Sequence, residues 1–143
     1  MSTLERAVAI AAEAHAGAVD KAGVPYILHP LRVMLGVDGE AARIAAVLHD
    51  VVEDTEWTIE RLRAEGFAPE VLAAVDALTR REGEDYFDFC RRAGRDPIAR
   101  VVKLADIEDN LDLSRISDPT PADHARVERY RTARELLLGA ALP

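Results

Sequence analysis

The run AARIAAVLHDVVEDT, Ala41 to Thr55, constrains the fold more than any other stretch. From Glu40 to about Asp54 the residues are apolar nearly all round, apart from Arg43 and an acidic end. A helix with no polar face has no side to turn to water and belongs in the middle of a helical protein. The end of the run has the opposite character, with His49, Asp50, Glu53 and Asp54 close together. Buried charge is expensive unless it is paired or bound to a metal. Carboxylates at a helix C-terminus also oppose the macrodipole. The cluster therefore calls for a compensating cation.

The rest of the chain reads as helices separated by glycine, proline and capping residues. An alanine-rich helix spans about 3 to 17 and stops at Gly17. DKAGVPY, Asp20 to Tyr26, is a loop. Pro30 sits in the first turn of the short helix LRVMLGV, which ends near Gly36 or Gly39. Thr58 caps TIERLRAE, which Gly66 terminates, and Pro69 starts PEVLAAVDALTRR. Glu84 to Ala93 is a helix carrying Tyr86, Phe87 and Phe89. Asp96 and Pro97 form a cap-plus-first-turn pair opening PIARVVKLADIEDNLDL, in which Ile98, Val101, Val102 and Ala105 mark a buried face. Thr120, Pro121 and Asp123 start a last helix over about 121 to 138. No segment alternates with a two-residue period, and no repeat or linker interrupts the pattern. The expectation is one all-α domain over 1–143.

Charge narrows the function. Eighteen Lys and Arg against 26 Asp and Glu give a net charge of −8, which argues against a nucleic-acid backbone or an anionic membrane as partner. An anionic substrate would need a cation or a few placed basic side chains. No apolar run is long enough to span a bilayer, and the start MSTLERAVAIAAEAHAG lacks the basic region of a signal peptide. The single Cys90 excludes an internal disulfide, fits the cytoplasm and reads as a small buried or half-buried thiol.

On a continuous helix His49 stacks beneath Glu53 and Asp50 beneath Asp54. Two ligands are too few for an ion, and two further candidates are His29 in PYILHP and Asp106 in VVKLADIEDN. Lys103, Asp106 and Asn110 fall at i, i+3 and i+7 and form one polar stripe. Two imidazoles with two carboxylates suit manganese, iron or zinc. Open positions would remain for water and substrate. Each residue alone has a plainer reading: His29 a turn histidine, Asp106 an ion-pair partner of Lys103 or Arg100, Glu53 and Asp54 a solvated helix end.

Taken in order, AHAGAVDKAGVPYILHP, AAVLHDVVEDT, FAPEVLAAVDALTRREGEDY and VKLADIEDN resemble the HD-domain phosphohydrolases. More narrowly they are similar to the hydrolase domain of the RelA/SpoT family and its small single-domain relatives, which cleave the 3′-pyrophosphate of (p)ppGpp. The resemblance implies a helical bundle of about seven to eight helices. His29, His49, Asp50 and Asp106 would bind one divalent ion, manganese first, with iron or zinc as alternatives. Glu53 and Asp54 would be catalytic, orienting or deprotonating the attacking water. Lys21, Tyr26, Lys103 and Asn110 would contact the nucleotide. For Lys103 a structural role, and for Tyr26 packing under the metal loop, stand equally open. His15 belongs to the resemblance as a packing residue.

The sequence also departs from that family. Ala18 and Val19 are apolar where many members carry a basic residue shortly before the position of Lys21. Ile107 and Asp109 stand where a basic residue and a histidine are common. The bifunctional members carry a synthetase domain after this one, and with its end at Pro143 the chain is expected to hydrolyse without synthesising. The alternatives are a broader HD-superfamily nucleotidase or phosphodiesterase, or a non-catalytic, metal-stabilised nucleotide-binding module. The apolar stretch Leu136 to Leu138 serves either a homodimer or the core, His124 is expected to be solvated, and Trp57 to anchor the start of its helix.

Overall fold

The structure is a computed structural model that describes residues 2–139. Among these the order is α1 (Leu4–Ala14), α2 (Leu28–Leu35), α3 (Glu40–Leu48), α4 (Val51–Asp54), α5 (Ile59–Ala64), α6 (Pro69–Ala77), α7 (Tyr86–Gly94), α8 (Pro97–Asn110) and α9 (Pro121–Gly139). The only β pairing among the described residues is an isolated bridge between Val19 and Pro25, which closes the loop before α2. Within that loop the Asp20 carboxylate accepts the N–H groups of Ala22 at 2.8 Å and Val24 at 3.2 Å.

The apolar run is the centre of the molecule. Ala45, Ala46, Val47 and Leu48 are wholly buried, and α3 packs against α1, α2, α6 and α8. Small alanine side chains let those neighbours approach closely, and the larger Ile10, Val33, Leu62, Val75 and Val102 fill the space between them. A second core lies between α7, α8 and α9, where Cys90, Ile107, Ala133 and Leu137 are buried against Tyr86 and Tyr130. Leu137 therefore covers the core, whereas Leu138 is 53% exposed. Helix α8 belongs to both cores, and this corrects one expectation. Its buried positions are Ala99, Val102, Lys103, Asp106 and Ile107, and Val101 is 40% exposed.

Most helix ends follow local chemistry. Thr58 accepts from Arg61 N–H at 3.1 Å, and Gly66 beyond α5 takes a φ of 90°, which a side chain would resist. Thr120 and Asp123 cap α9 reciprocally, with Asp123 N–H donating to Thr120 Oγ1 at 3.2 Å and Thr120 N–H to Asp123 Oδ2 at 2.8 Å. At the start of α8, Asp96 Oδ1 accepts from Ile98 at 2.9 Å and from Ala99 at 2.8 Å. Because α8 carries part of the site, Asp96→Ala should lower stability by about 1 kcal/mol. Urea denaturation would show this as a lower midpoint with an unchanged slope.

The stretch expected as one helix from Glu40 to Asp54 is broken in two. Helix α3 ends at Leu48, and a new turn begins at Asp50, whose carbonyl accepts from Asp54 N–H at 3.0 Å. At the break the Ala46 carbonyl faces both the His49 backbone N–H at 3.3 Å and the His49 ring Nδ1 at 2.5 Å. A ring nitrogen competing for a helical carbonyl interrupts the ladder. The relation of Asp50 to Asp54 survives on α4, while no continuous helix stacks His49 on Glu53. No helix among the described residues is long and apolar enough to cross a membrane.

Candidate metal centre and cleft

The break in the central helix turns His49 and Asp50 toward residues from two other helices. His29, in the first turn of α2, places Nε2 at 2.8 Å from Asp106 Oδ1 and 3.9 Å from Asp50 Oδ2. His49 Nε2 lies 3.1 Å from Asp50 Oδ2 and 3.4 Å from Asp106 Oδ1. One ligand atom each of His29, His49 and Asp50 lies within 4.8 Å of the others, and Asp106 joins the group through both imidazoles. The structure thus brings together all four residues that the resemblance singles out as ligands.

The electrostatics of the cluster fit a cation. Burial alone would lower the basicity of His49, but Asp50 and Asp106 outweigh it and hold the imidazole well above the usual histidine range. The same opposition raises His29, with Asp106 and Asp109 prevailing over burial. Burial would raise the Asp106 carboxyl, yet Lys103, His29 and His49 hold it well below the usual carboxylate range. The buried Asp106 and half-buried Asp50 thus demand positive charge and keep protons on the rings when nothing else supplies it. His49 Nε2 is buried and makes no well-directed hydrogen bond, although Asp50 Oδ2 and Asp106 Oδ1 lie 3.1 and 3.4 Å away, an arrangement that a shared cation would satisfy. With Nδ1–H spent on the Ala46 carbonyl, Nε2 is the nitrogen left facing the carboxylates. The donor set fits a borderline divalent ion.

His29, Asp50 and Asp106 line a cleft of about 570 Å³, together with the Asp20–Tyr26 loop, the ends of α4 and α8, Arg80 after α6, and the start of α9. Glu53 and Asp54 both line it. Arg80 N–H donates to Glu53 Oε1 at 2.8 Å, which ties that carboxylate to the segment between α6 and α7. Burial, then Asp50 and Glu53, push the Asp54 carboxyl up to about 6. Glu53 and Asp54 are both exposed to the cleft, and the raised Asp54 carboxyl is that of the cluster without a cation.

Of the residues expected to meet a nucleotide, Lys21 is exposed on the rim. The other three line the cleft with polar atoms already directed at metal-site carboxylates. Tyr26 donates its hydroxyl to Asp50 Oδ2, with its ring 5.0 Å from the buried His15 and 5.7 Å from His29. Asn110 donates its amide to Asp106 Oδ1 at 3.2 Å. Lys103 is only 8% exposed, donates to Asp106 Oδ2 at 2.8 Å and lies over the Phe89 ring at 4.9 Å. This is the geometry of a structural ammonium that also faces the cleft.

Sequence reasoning missed the arginines. Arg32, Arg80, Arg115 and Arg126 all line the cleft, drawn from four different parts of the chain. Three of them are already paired, Arg32 with Asp109, Arg115 with Asp109 and Asp112, and Arg126 with Asp123, and acidic side chains outnumber basic ones in the lining, so attraction for an anionic substrate still calls for a cation. No spacing in the sequence could have found them. Asp109 was missed as well, though it follows Asp106 by one helical turn. Its Oδ2 lies 2.6 Å from His29 Nδ1, and Arg32 Nε donates to its Oδ1 at 2.7 Å. His124 is exposed as expected, and Trp57 is half-buried under the Arg61 guanidinium at 4.0 Å.

The family model described as HD domain matches residues 7–141. A probable GTP pyrophosphokinase of Mycobacterium leprae is 36% identical over 96% of this chain and 18% of its own length. A guanosine-3′,5′-bis(diphosphate) 3′-pyrophosphohydrolase of Aquifex aeolicus is 36% identical over 76% of this chain and 17% of its own length. The chain thus spans less than a fifth of these curated relatives. A solved metazoan ortholog of SpoT, described as hydrolysing ppGpp and acting in starvation responses, superposes with a TM-score of 0.78. It is 25% identical, with coverage of 98% of this chain and 85% of that one.

Proposed function

The chain belongs to the HD-domain family, and on that premise we propose that it is a metal-dependent phosphohydrolase removing the 3′-pyrophosphate of (p)ppGpp. The observation that carries this reading is the meeting of His29 and His49 Nε2 with the Asp50 and Asp106 carboxylates beneath a cleft that also holds Asp54. Those four residues would hold one divalent ion, with Mn²⁺ the first choice and Fe²⁺ or Zn²⁺ the alternatives. When bound, such an ion lowers the pKa of water and offsets charge on the attacked phosphate. Tyr26 and Lys103 keep the Asp50 and Asp106 carboxylates oriented through their hydrogen bonds. Asp54 accepts the proton of the attacking water, and Glu53, held by the Arg80 N–H, orients that water. Lys21 and Asn110 are the nucleotide contacts. The names carried by the Aquifex aeolicus relative and the metazoan structure support the substrate class. We place the enzyme in the cytoplasm, acting on a small nucleotide rather than on nucleic acid or a membrane.

A second reading keeps the chemistry and changes the nucleotide. Asp20 and Val19 line the cleft next to Lys21, so its rim is less basic than the family pattern implies. One assay separates the readings. Metal-free protein is incubated with Mn²⁺ and ppGpp, NADPH or nucleoside mono-, di- and triphosphates, and released phosphate and pyrophosphate are measured. Pyrophosphate from ppGpp at a rate above every other substrate is the expected result. Faster turnover of another nucleotide favours the second reading, and turnover of none leaves a nucleotide-binding module.

A further inference from the structure

We propose that Asp109 is a positioning residue for the metal centre, holding the His29 ring through Nδ1 so that Nε2 faces Asp50 and Asp106. The inference rests on the reading of His29 as a ligand. It starts from the ring itself, whose two nitrogens point to opposite sides. Asp109 Oδ2 is 2.6 Å from Nδ1, while Nε2 is 2.8 Å from Asp106 Oδ1. Asp109 therefore cannot reach the metal position past the ring, and its contact selects which nitrogen is left with a free lone pair. His49 offers an internal comparison. Its Nδ1 is 2.5 Å from the Ala46 carbonyl, so both rings are held at the same nitrogen, one by backbone and one by a side chain.

Asp109 is itself held. Arg32 donates Nε to Oδ1 at 2.7 Å and Nη2 to Oδ2 at 3.1 Å, and Arg115 donates to the Asp109 backbone carbonyl at 3.0 Å. A carboxylate gripped at both oxygens by one guanidinium stays ionised and can only accept from Nδ1–H. The pattern spans two helices. His29 and Arg32 stand at i and i+3 on α2, opposite Asp106 and Asp109 at i and i+3 on α8. The aspartate that departs from the common family pattern is thus matched by an arginine one turn after the ligand.

The test measures Mn²⁺ affinity of metal-free protein by calorimetry, without any substrate. Asp109→Ala should weaken binding by roughly 10- to 100-fold. Asp109→Asn, which retains a carbonyl oxygen for Nδ1–H, should fall between Asp109→Ala and the parent. If His29→Ala binds Mn²⁺ as the parent does, the ligand reading itself fails. If His29→Ala loses binding while Asp109→Ala matches the parent, this inference is overturned and the ligand reading stands. Should Asp109→Ala not fold, long-range proton–nitrogen NMR of the parent protein loaded with Zn²⁺ decides. A His29 Nδ1 proton shifted far downfield and slow to exchange, as one held by a carboxylate is, supports the inference, and an Nδ1 proton that exchanges freely with water overturns it.

Discussion

Asp54→Asn is expected to lower kcat by about 10²- to 10⁴-fold, the usual contribution of a positioned general base, while Mn²⁺ affinity stays that of the parent. Asp54 lies in the cleft one helical turn beyond Asp50, and burial together with Asp50 and Glu53 push its carboxyl up to about 6. An amide of the same shape keeps the packing and cannot take a proton. The pH profile supplies the mechanistic check. A base works when deprotonated, so kcat/KM of the parent should rise with pH through an acidic limb. That limb should lie at or below the value of about 6 that Asp54 shows without a cation, because a bound ion draws the carboxyl down. In Asp54→Asn the limb should vanish. Loss of metal along with activity would instead make Asp54 a ligand, and retention of the limb would pass the role of base to Glu53.

The second large effect is on stability. Asp106→Ala should destabilise the metal-free protein by about 3–5 kcal/mol, the penalty for stranding a buried charge, and should abolish Mn²⁺ binding. Asp106 accepts from Lys103 at 2.8 Å and Asn110 at 3.2 Å, and its Oδ1 lies 2.8 Å from His29 Nε2. The imidazoles can shed their protons when it is gone, but the Lys103 ammonium, 8% exposed, is left without a counter-ion. Adding Lys103→Met should therefore recover much of the stability and none of the metal binding. The sign of the pH dependence follows from the depressed Asp106 carboxyl. Its contribution is fully present above the ordinary carboxyl value of 3.8 and is lost as pH falls through the folded value. The gap between parent and Asp106→Ala in urea should narrow on acidification below about pH 4. A gap that widens there, or a double variant as unstable as Asp106→Ala, would refute the ion-pair account.

How far the molecule was legible depended on the range of the signal. Capping pairs such as Asp96 with Pro97 and Thr120 with Asp123 lie within one turn, so their chemistry is complete in the sequence. The central helix was legible for a related reason, since alanines and valines on every side leave only one place for it. The four expected ligands were marked by motifs and by a family resemblance, and the structure brings them together. The break between Leu48 and Val51 was not legible, because it depends on where the His49 ring goes once its helix is packed.

By itself the sequence determined the all-helical class, the buried central helix, most helix starts and the residue types of the metal site. Each of these is written in contacts between neighbours one turn apart or in the polarity of a whole helix. The Lys103–Asp106 pair lies one turn apart and was open to sequence reading, but only the tertiary structure decided that it is buried, that Asp109 meets His29 rather than solvent, and that four scattered arginines line one cleft. The meeting of Asp109 with His29 depends on the register and rotation of α2 against α8, and the cleft on how the remaining helices pack around them, which no local spacing encodes.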